Sequence, residues 1–193
     1  MNDFADIFKA LTYDRLKKYR ENSSKGISYP DIEVIQRYLY NMEISNSLNK
    51  SIHILEVVLR NRLVDEWNKF LGTNDWPLNK KGIPSSLKYQ RMISDINKAI
   101  QRSGNSHDNG KIVAELSFGF WLHLLSQKFQ KTNIKIIKEV FKYKSDWNNN
   151  LVISINELHQ KISKIHQLRN RIAHHEPIFI ITIYENSLMS YWN

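Results

Sequence analysis

The stretch that decides the fold is NNNLVISINELHQKISKIHQLRNRIAHHEP, residues 148–177. Large apolar residues recur in it at spacings of three and four, which is the period of one face of an α-helix. These residues are Leu151, Ile155, Leu158, Ile162, Ile165, Leu168 and Ile172. Pro177 lacks a backbone N–H and cannot continue a helix. The stretch therefore predicts a long helix over residues 148–174 that packs one face against a core.

A second long helix is predicted over residues 30–72. Pro30 and Asp31 suit its first turn, and Gly72 marks its end. A polar patch at residues 45–47 interrupts the apolar stripe, and we expect a kink or a break near residues 42–48. The stripe consists of Ile32, Ile35, Leu39, Met42, Leu48, Ile52, Leu55, Leu59 and Leu63.

The rest of the chain predicts shorter helices. Residues 87–101 and 133–143 are amphipathic, and the strongly apolar segment 111–129 predicts one central buried helix. Its aromatic residues Phe118, Phe120 and Trp121 have apolar neighbours, which favours core positions over a platform for stacked bases. With only 6 Gly and 4 Pro in 193 residues, we predict a single all-α domain, residues 1–193, with two long core helices and extra short helices.

Composition limits the class of protein. There are no cysteines, which excludes a disulfide framework, a thiolate zinc site and a cysteine nucleophile. The N-terminus lacks a targeting signal and the apolar runs are short, so we expect a cytoplasmic protein without membrane contact. The 28 Lys and Arg residues outnumber the 19 Asp and Glu, giving a net charge of +9. That charge favours polyanionic partners, of which nucleic acid is the commonest.

A dense polar cluster, Arg169 to Glu176, lies where the helix predicted over residues 148–174 ends. Asn170 and His174 are four residues apart and share a helix face, and Arg169 lies beside them. An arginine can hold a phosphate, and a histidine can transfer a proton near neutral pH. The alternative is a solvated last turn, because basic side chains suit the C-terminal end of a helix dipole.

The sequence favours chemistry without a metal or a cofactor. His174, His175 and Glu176 are consecutive, whereas a helical zinc site needs histidines four residues apart. The sequence also lacks a Gly-rich phosphate loop and a nucleophile-elbow serine.

Three segments carry a resemblance to a known family. LRNRIAHHEPIF, residues 168–179, contains the Arg-x4-His motif of HEPN domains and resembles the Abi-like (abortive infection, AbiD/AbiF-type) branch of that superfamily. LEVVLRN at residues 55–61 and AELSFGFW at residues 114–121 are similar to segments of the same branch. The resemblance covers roughly residues 30–180.

The resemblance implies a HEPN-type helical bundle, a homodimer and a metal-independent endoribonuclease of a phage-defence or toxin–antitoxin system. Such an enzyme cleaves RNA by attack of a 2′-hydroxyl at a site on the dimer interface, and it can have an antitoxin or a defence-system protein as partner. Carried over by position, Arg169 stabilises the phosphate, His174 acts as acid or base, and Asn170 orients the substrate or the histidine. The alternative is a non-catalytic HEPN module that binds RNA, nucleotide or a protein partner.

Further residues are assigned supporting roles. Glu56 and Arg60 are one helical turn apart, and a structural role between the two long helices is favoured over a direct effect on His174. His175 is also assigned a supporting role. A stripe of lysines can follow RNA phosphates or can simply face solvent. The stripe comprises Lys131, Lys135, Lys138 and Lys142. The resemblance also implies a final helix that is longer than the sequence up to Asn193 can form. A shortened C-terminus is one interpretation of this difference.

Overall fold

The computed structural model describes residue 11 and residues 13–20, 32–83, 89–126, 130–142 and 151–178. These ranges contain seven α-helices and no β-strand, which confirms the all-α prediction for the described chain. None of the described helices has both the length and the apolar character needed to cross a lipid bilayer. The helices are α1 (Tyr13–Lys17), α2 (Ile32–Leu71), α3 (Gln90–Arg102), α4 (Asn109–Glu115), α5 (Phe118–Leu124), α6 (Gln130–Val140) and α7 (Leu151–Ala173).

Both long helices form within the described residues, but α2 has no break. It continues for 40 residues through positions 42–48, so the expected break is wrong. Two of the polar residues near this point, Asn41 and Ser45, lie on the buried side of the helix. Polar residues there do not interrupt helical hydrogen bonding, since the helix backbone satisfies its own donors and acceptors. The predicted helix start at residues 30–31 lies outside the described residues. Four residues of the predicted apolar stripe of α2, Ile32, Leu39, Met42 and Leu48, are exposed, so that part of the prediction is wrong.

The apolar segment 111–129 does not form one helix, which corrects the prediction. Within its described part, α4 ends at Glu115 and α5 begins at Phe118. The two residues between them, Leu116 and Ser117, have extended backbones. The large apolar residues of positions 112–125 cover about 280° of an ideal helix, too wide an arc to face one core. The break lets both short helices bury their apolar residues. Phe118, Phe120 and Trp121 are buried, which confirms their predicted core positions.

The chain divides into two compact units, and the prediction of a single domain stays a prediction. The first unit comprises residues 1–52 and 167–193, and the second comprises residues 53–166. In the first unit, α1 packs on the beginning of α2. Tyr19 and Tyr38 meet edge to face with ring centroids 5.3 Å apart. The buried cluster of this unit is Leu16, Tyr19, Val34, Ile35 and Tyr38.

The second unit is organised around three buried tryptophans. Trp67 stacks on Trp76 with ring centroids 5.0 Å apart, and Trp121 lies 6.5 Å from Trp76. The connection after α2 is fixed by asparagines: the Asn109 amide donates to the Trp76 carbonyl at 2.7 Å, and Asn68 accepts from the Trp76 N–H at 3.0 Å. This connection occupies residues 72–83 of the described chain, and the loop before α4 occupies residues 103–108.

Candidate functional site

The polar cluster at the end of α7 is held in a Schellman motif, a helix end closed by two backbone hydrogen bonds. The His175 N–H donates to the Ile172 carbonyl at 3.0 Å, and the Glu176 N–H donates to the Arg171 carbonyl at 2.8 Å. His175 has φ of 53°, the left-handed conformation in which glycine is usual. This conformation costs a side-chain-bearing residue roughly 1–2 kcal/mol. Other contacts must therefore stabilise the turn.

The side chain of Asn41, on α2, makes three hydrogen bonds, two of them with the segment that follows α7. Its amide nitrogen donates to the Glu176 carbonyl at 3.2 Å and to the Tyr19 hydroxyl at 3.0 Å. Its amide oxygen accepts the Ile178 N–H at 2.7 Å. Asn41 is only 1% exposed, so its donors and acceptor are fully used within the protein. Sequence reasoning missed Asn41, because the predicted apolar stripe passes through Leu39 and Met42, both of which are exposed.

Tyr19 adds a further contact to the same turn. Its hydroxyl donates to the His175 carbonyl at 3.1 Å. Burial raises the pKa of Tyr19 to about 12, so the phenol stays protonated and remains a donor at physiological pH. Stability linked to this phenol is fully present below pH 10.0 and is lost as the pH rises towards about 12. Arg171 also donates to the Pro177 carbonyl, at 2.6 Å. The turn is thus fixed from three elements.

Beside this turn lies a pocket of about 280 Å³ within the first unit. Two residues of its α2 wall, Asn41 and Ser45, are buried, and the Ser45 hydroxyl has no hydrogen-bond partner among the described residues. The lining contains neutral amides, one guanidinium and one imidazole, without any carboxylate. The lining residues are Asn41, Met42, Ser45, Asn46 and Asn49 of α2, and Arg169, Ile172, Ala173 and His175 of α7 and its turn.

The pocket separates the residues of the motif. Arg169 and His175 line it, whereas His174 does not, although both histidines are exposed. The helical rotation explains this difference, since His174 lies about 140° around the axis from Arg169. Asn170 is half-buried and lies one turn before His174, whose N–H donates to its carbonyl at 3.0 Å. The histidine that faces the pocket is therefore the one in the left-handed position.

The supporting residues lie in the other unit. Glu56 and Arg60 belong to residues 53–166, and the Arg60 Nε is buried without a hydrogen-bond partner among the described residues. Their predicted structural role stays a prediction. Lys135 and Lys138 are exposed on α6, and Lys142 is exposed just beyond it. The side chain of Lys131 lies outside the described residues.

In the ranges that the structure describes, no three His, Cys, Asp or Glu side chains are grouped so that they could hold a metal ion. The polar side chains that line the pocket are amides, one hydroxyl, one guanidinium and one imidazole.

Comparison with known proteins gives the family. The family model of the Abi-like proteins matches residues 6–180, nearly the whole chain. No curated protein and no solved structure matches the chain significantly. The match includes α2, α7 and the turn that follows, which together line the pocket. The chain therefore belongs to the Abi-like protein family.

Proposed function

We propose that the chain is a metal-independent endoribonuclease of the HEPN type, acting in a phage-defence or toxin–antitoxin system. Membership in the Abi-like family itself indicates a role in abortive infection, a defence against phage. The observation that carries the proposal is the position of Arg169, which lines a polar pocket beside a helix end that buried hydrogen bonds fix. Arg169 lies in a pocket lining that carries no carboxylate among its described residues, and a guanidinium in such a lining suits an RNA phosphate.

In the proposed reaction, a ribose 2′-hydroxyl attacks the neighbouring phosphorus. One histidine removes the proton of the 2′-hydroxyl, and the bond from phosphorus to the 5′-oxygen breaks. A second acid gives that oxygen a proton, which leaves a 2′,3′-cyclic phosphate and a free 5′-hydroxyl. Arg169 offsets the negative charge that develops on the phosphate oxygens. Asn170, one turn before His174, orients the histidine or the substrate.

The exposed position of His174 supports a site made by two subunits. One chain contributes a single His174, which lies outside its own pocket, while the reaction needs both a base and an acid. A two-fold axis beside the end of α7 would bring the His174 and Arg169 of a second subunit to the same phosphate. The net charge of +9 and the exposed Lys135 and Lys138 favour RNA as the polyanion that approaches.

The proposal predicts that purified protein cleaves labelled RNA equally well with and without EDTA. Replacing His174 with alanine should abolish this cleavage, because the proton transfers lose their donor and acceptor. The matched control is His107→Ala, which removes an exposed histidine of the loop before α4 and should leave the rate unchanged. Cleavage that needs a divalent ion, or that survives His174→Ala, would contradict the proposal.

The second candidate is a non-catalytic HEPN module that binds RNA, nucleotide or a protein partner such as an antitoxin. One observation favours it: the pocket is lined by His175 rather than His174, so one chain lacks a complete pair of catalytic groups around its pocket. The same RNA assay separates the two candidates, since a binding module would retain the labelled RNA uncut under all conditions.

A further inference from the structure

We propose that Asn46 and Asn49 read one nucleobase of the RNA, and that the base is adenine. This inference rests on the proposed function for its substrate class. It assigns the α2 wall of the pocket a separate role from the α7 wall. The α7 wall carries Arg169 for the phosphate, whereas the α2 wall is neutral and carries amides.

The amides of Asn46 and Asn49 lie close together on α2. Asn46 and Asn49 are three residues apart on one continuous helix, so their side chains lie on the same face, one turn apart. Both are exposed and both line the pocket. Neither side-chain amide has a hydrogen-bond partner among the described residues, whereas every polar group of the Asn41 amide is used in the turn. Within the described part of the chain, nothing competes with a ligand for the amides of Asn46 and Asn49.

A primary amide can recognise the edge of a nucleobase. The carbonyl oxygen accepts and the NH₂ group donates in one plane, which matches a base edge carrying one donor and one acceptor. Asparagine pairs in this bidentate way with adenine, accepting from N6 and donating to N7. Because the amides are uncharged, they distinguish bases without competing with Arg169 for the phosphate.

The apolar part of the lining and the size of the pocket also suit a nucleobase. Met42 offers an apolar surface beside the two amides, which suits the face of an aromatic ring. The volume of about 280 Å³ lies at the lower limit of small-molecule sites, which run from about 300 to 1,000 Å³. A pocket of this size suits a single base, with the sugar and phosphate left at the Arg169 side.

The test measures binding rather than cleavage. The His174→Ala protein is titrated into fluorescently labelled oligo(A), oligo(U) and oligo(C) of equal length, and fluorescence anisotropy gives each Kd. We expect tighter binding of oligo(A). Adding Asn46→Ala or Asn49→Ala should weaken oligo(A) binding about tenfold and leave the other two oligonucleotides nearly unchanged. Asn97→Ala, at an exposed asparagine of α3, is the matched control and should change nothing.

The possible outcomes separate this inference from the ribonuclease proposal. If wild-type protein does not cleave RNA but the Asn46 and Asn49 variants lose the preference for oligo(A), the ribonuclease proposal fails and base reading stands. Equal weakening of all three oligonucleotides would overturn base reading, since it indicates a contact with the backbone. Unchanged binding of oligo(A), a preference for another base, or no RNA binding would also overturn it.

Discussion

Replacing Arg169 with lysine should lower the rate of RNA cleavage about 100-fold or more, the usual loss when one preorganised donor to a transition-state oxygen is removed. Lysine keeps the positive charge but lacks the planar fork of donors that a phosphate can engage at two oxygens. The loss should appear mainly in kcat, because the interaction is made with charge that develops during the reaction. Steady-state cleavage of a labelled RNA measures this effect.

Two controls show whether Arg169 acts on the substrate. Arg91→Lys, at an exposed position of α3, makes the same chemical change in the other unit and should leave the rate unchanged. The melting temperature of Arg169→Lys should remain close to that of the wild type. Wild-type rates in Arg169→Lys would show that Arg169 is not the group that stabilises the phosphate.

Replacing Asn41 with alanine should lower the free energy of unfolding by about 3 kcal/mol, the sum expected for three lost hydrogen bonds and the buried groups left unpaired. The Glu176 carbonyl and the Ile178 N–H would lose their partner in the turn after α7. Urea unfolding followed by circular dichroism measures the change. Hydrogen exchange at the Ile178 N–H should accelerate as well, because the turn loses the contact that holds it.

Asn46→Ala is the matched control for this change. It alters the same residue type on the same helix, but Asn46 is exposed, so its effect should stay within about 0.5 kcal/mol. If Asn41→Ala were as stable as Asn46→Ala, Asn41 would not be the side chain that fixes the turn.

The sequence predicts the long helices well and the short ones less well. Apolar residues that recur at spacings of three and four over more than 20 residues, as in α7, strongly indicate a helix. The segment that becomes α4 and α5 is different, because its apolar residues surround the helix and give no single face. Its break at Leu116 depends on tertiary packing, which periodicity does not contain. The uninterrupted course of α2 also depends on packing, since its polar patch lies partly in the buried interior.

The sequence alone predicts one wall of the candidate site and not the other. The motif from Arg169 to His174 is contiguous, so its residue types and helical spacing can be read directly. The opposite wall of the pocket, with Asn46 and Asn49, lies more than 100 residues earlier in the chain and looks like an ordinary polar helix surface. The left-handed turn at His175 is equally hidden, because glycine is the residue that normally marks it.

A mixing experiment tests the two-subunit site most directly. Wild-type protein is combined with His174→Ala protein at varied ratios, after subunit exchange has been confirmed by light scattering and labelled subunits. His107→Ala protein, mixed in the same way, serves as the control. If one site needs both His174 side chains, activity should fall as the square of the wild-type fraction, and a linear fall or full activity in a monomer would contradict it.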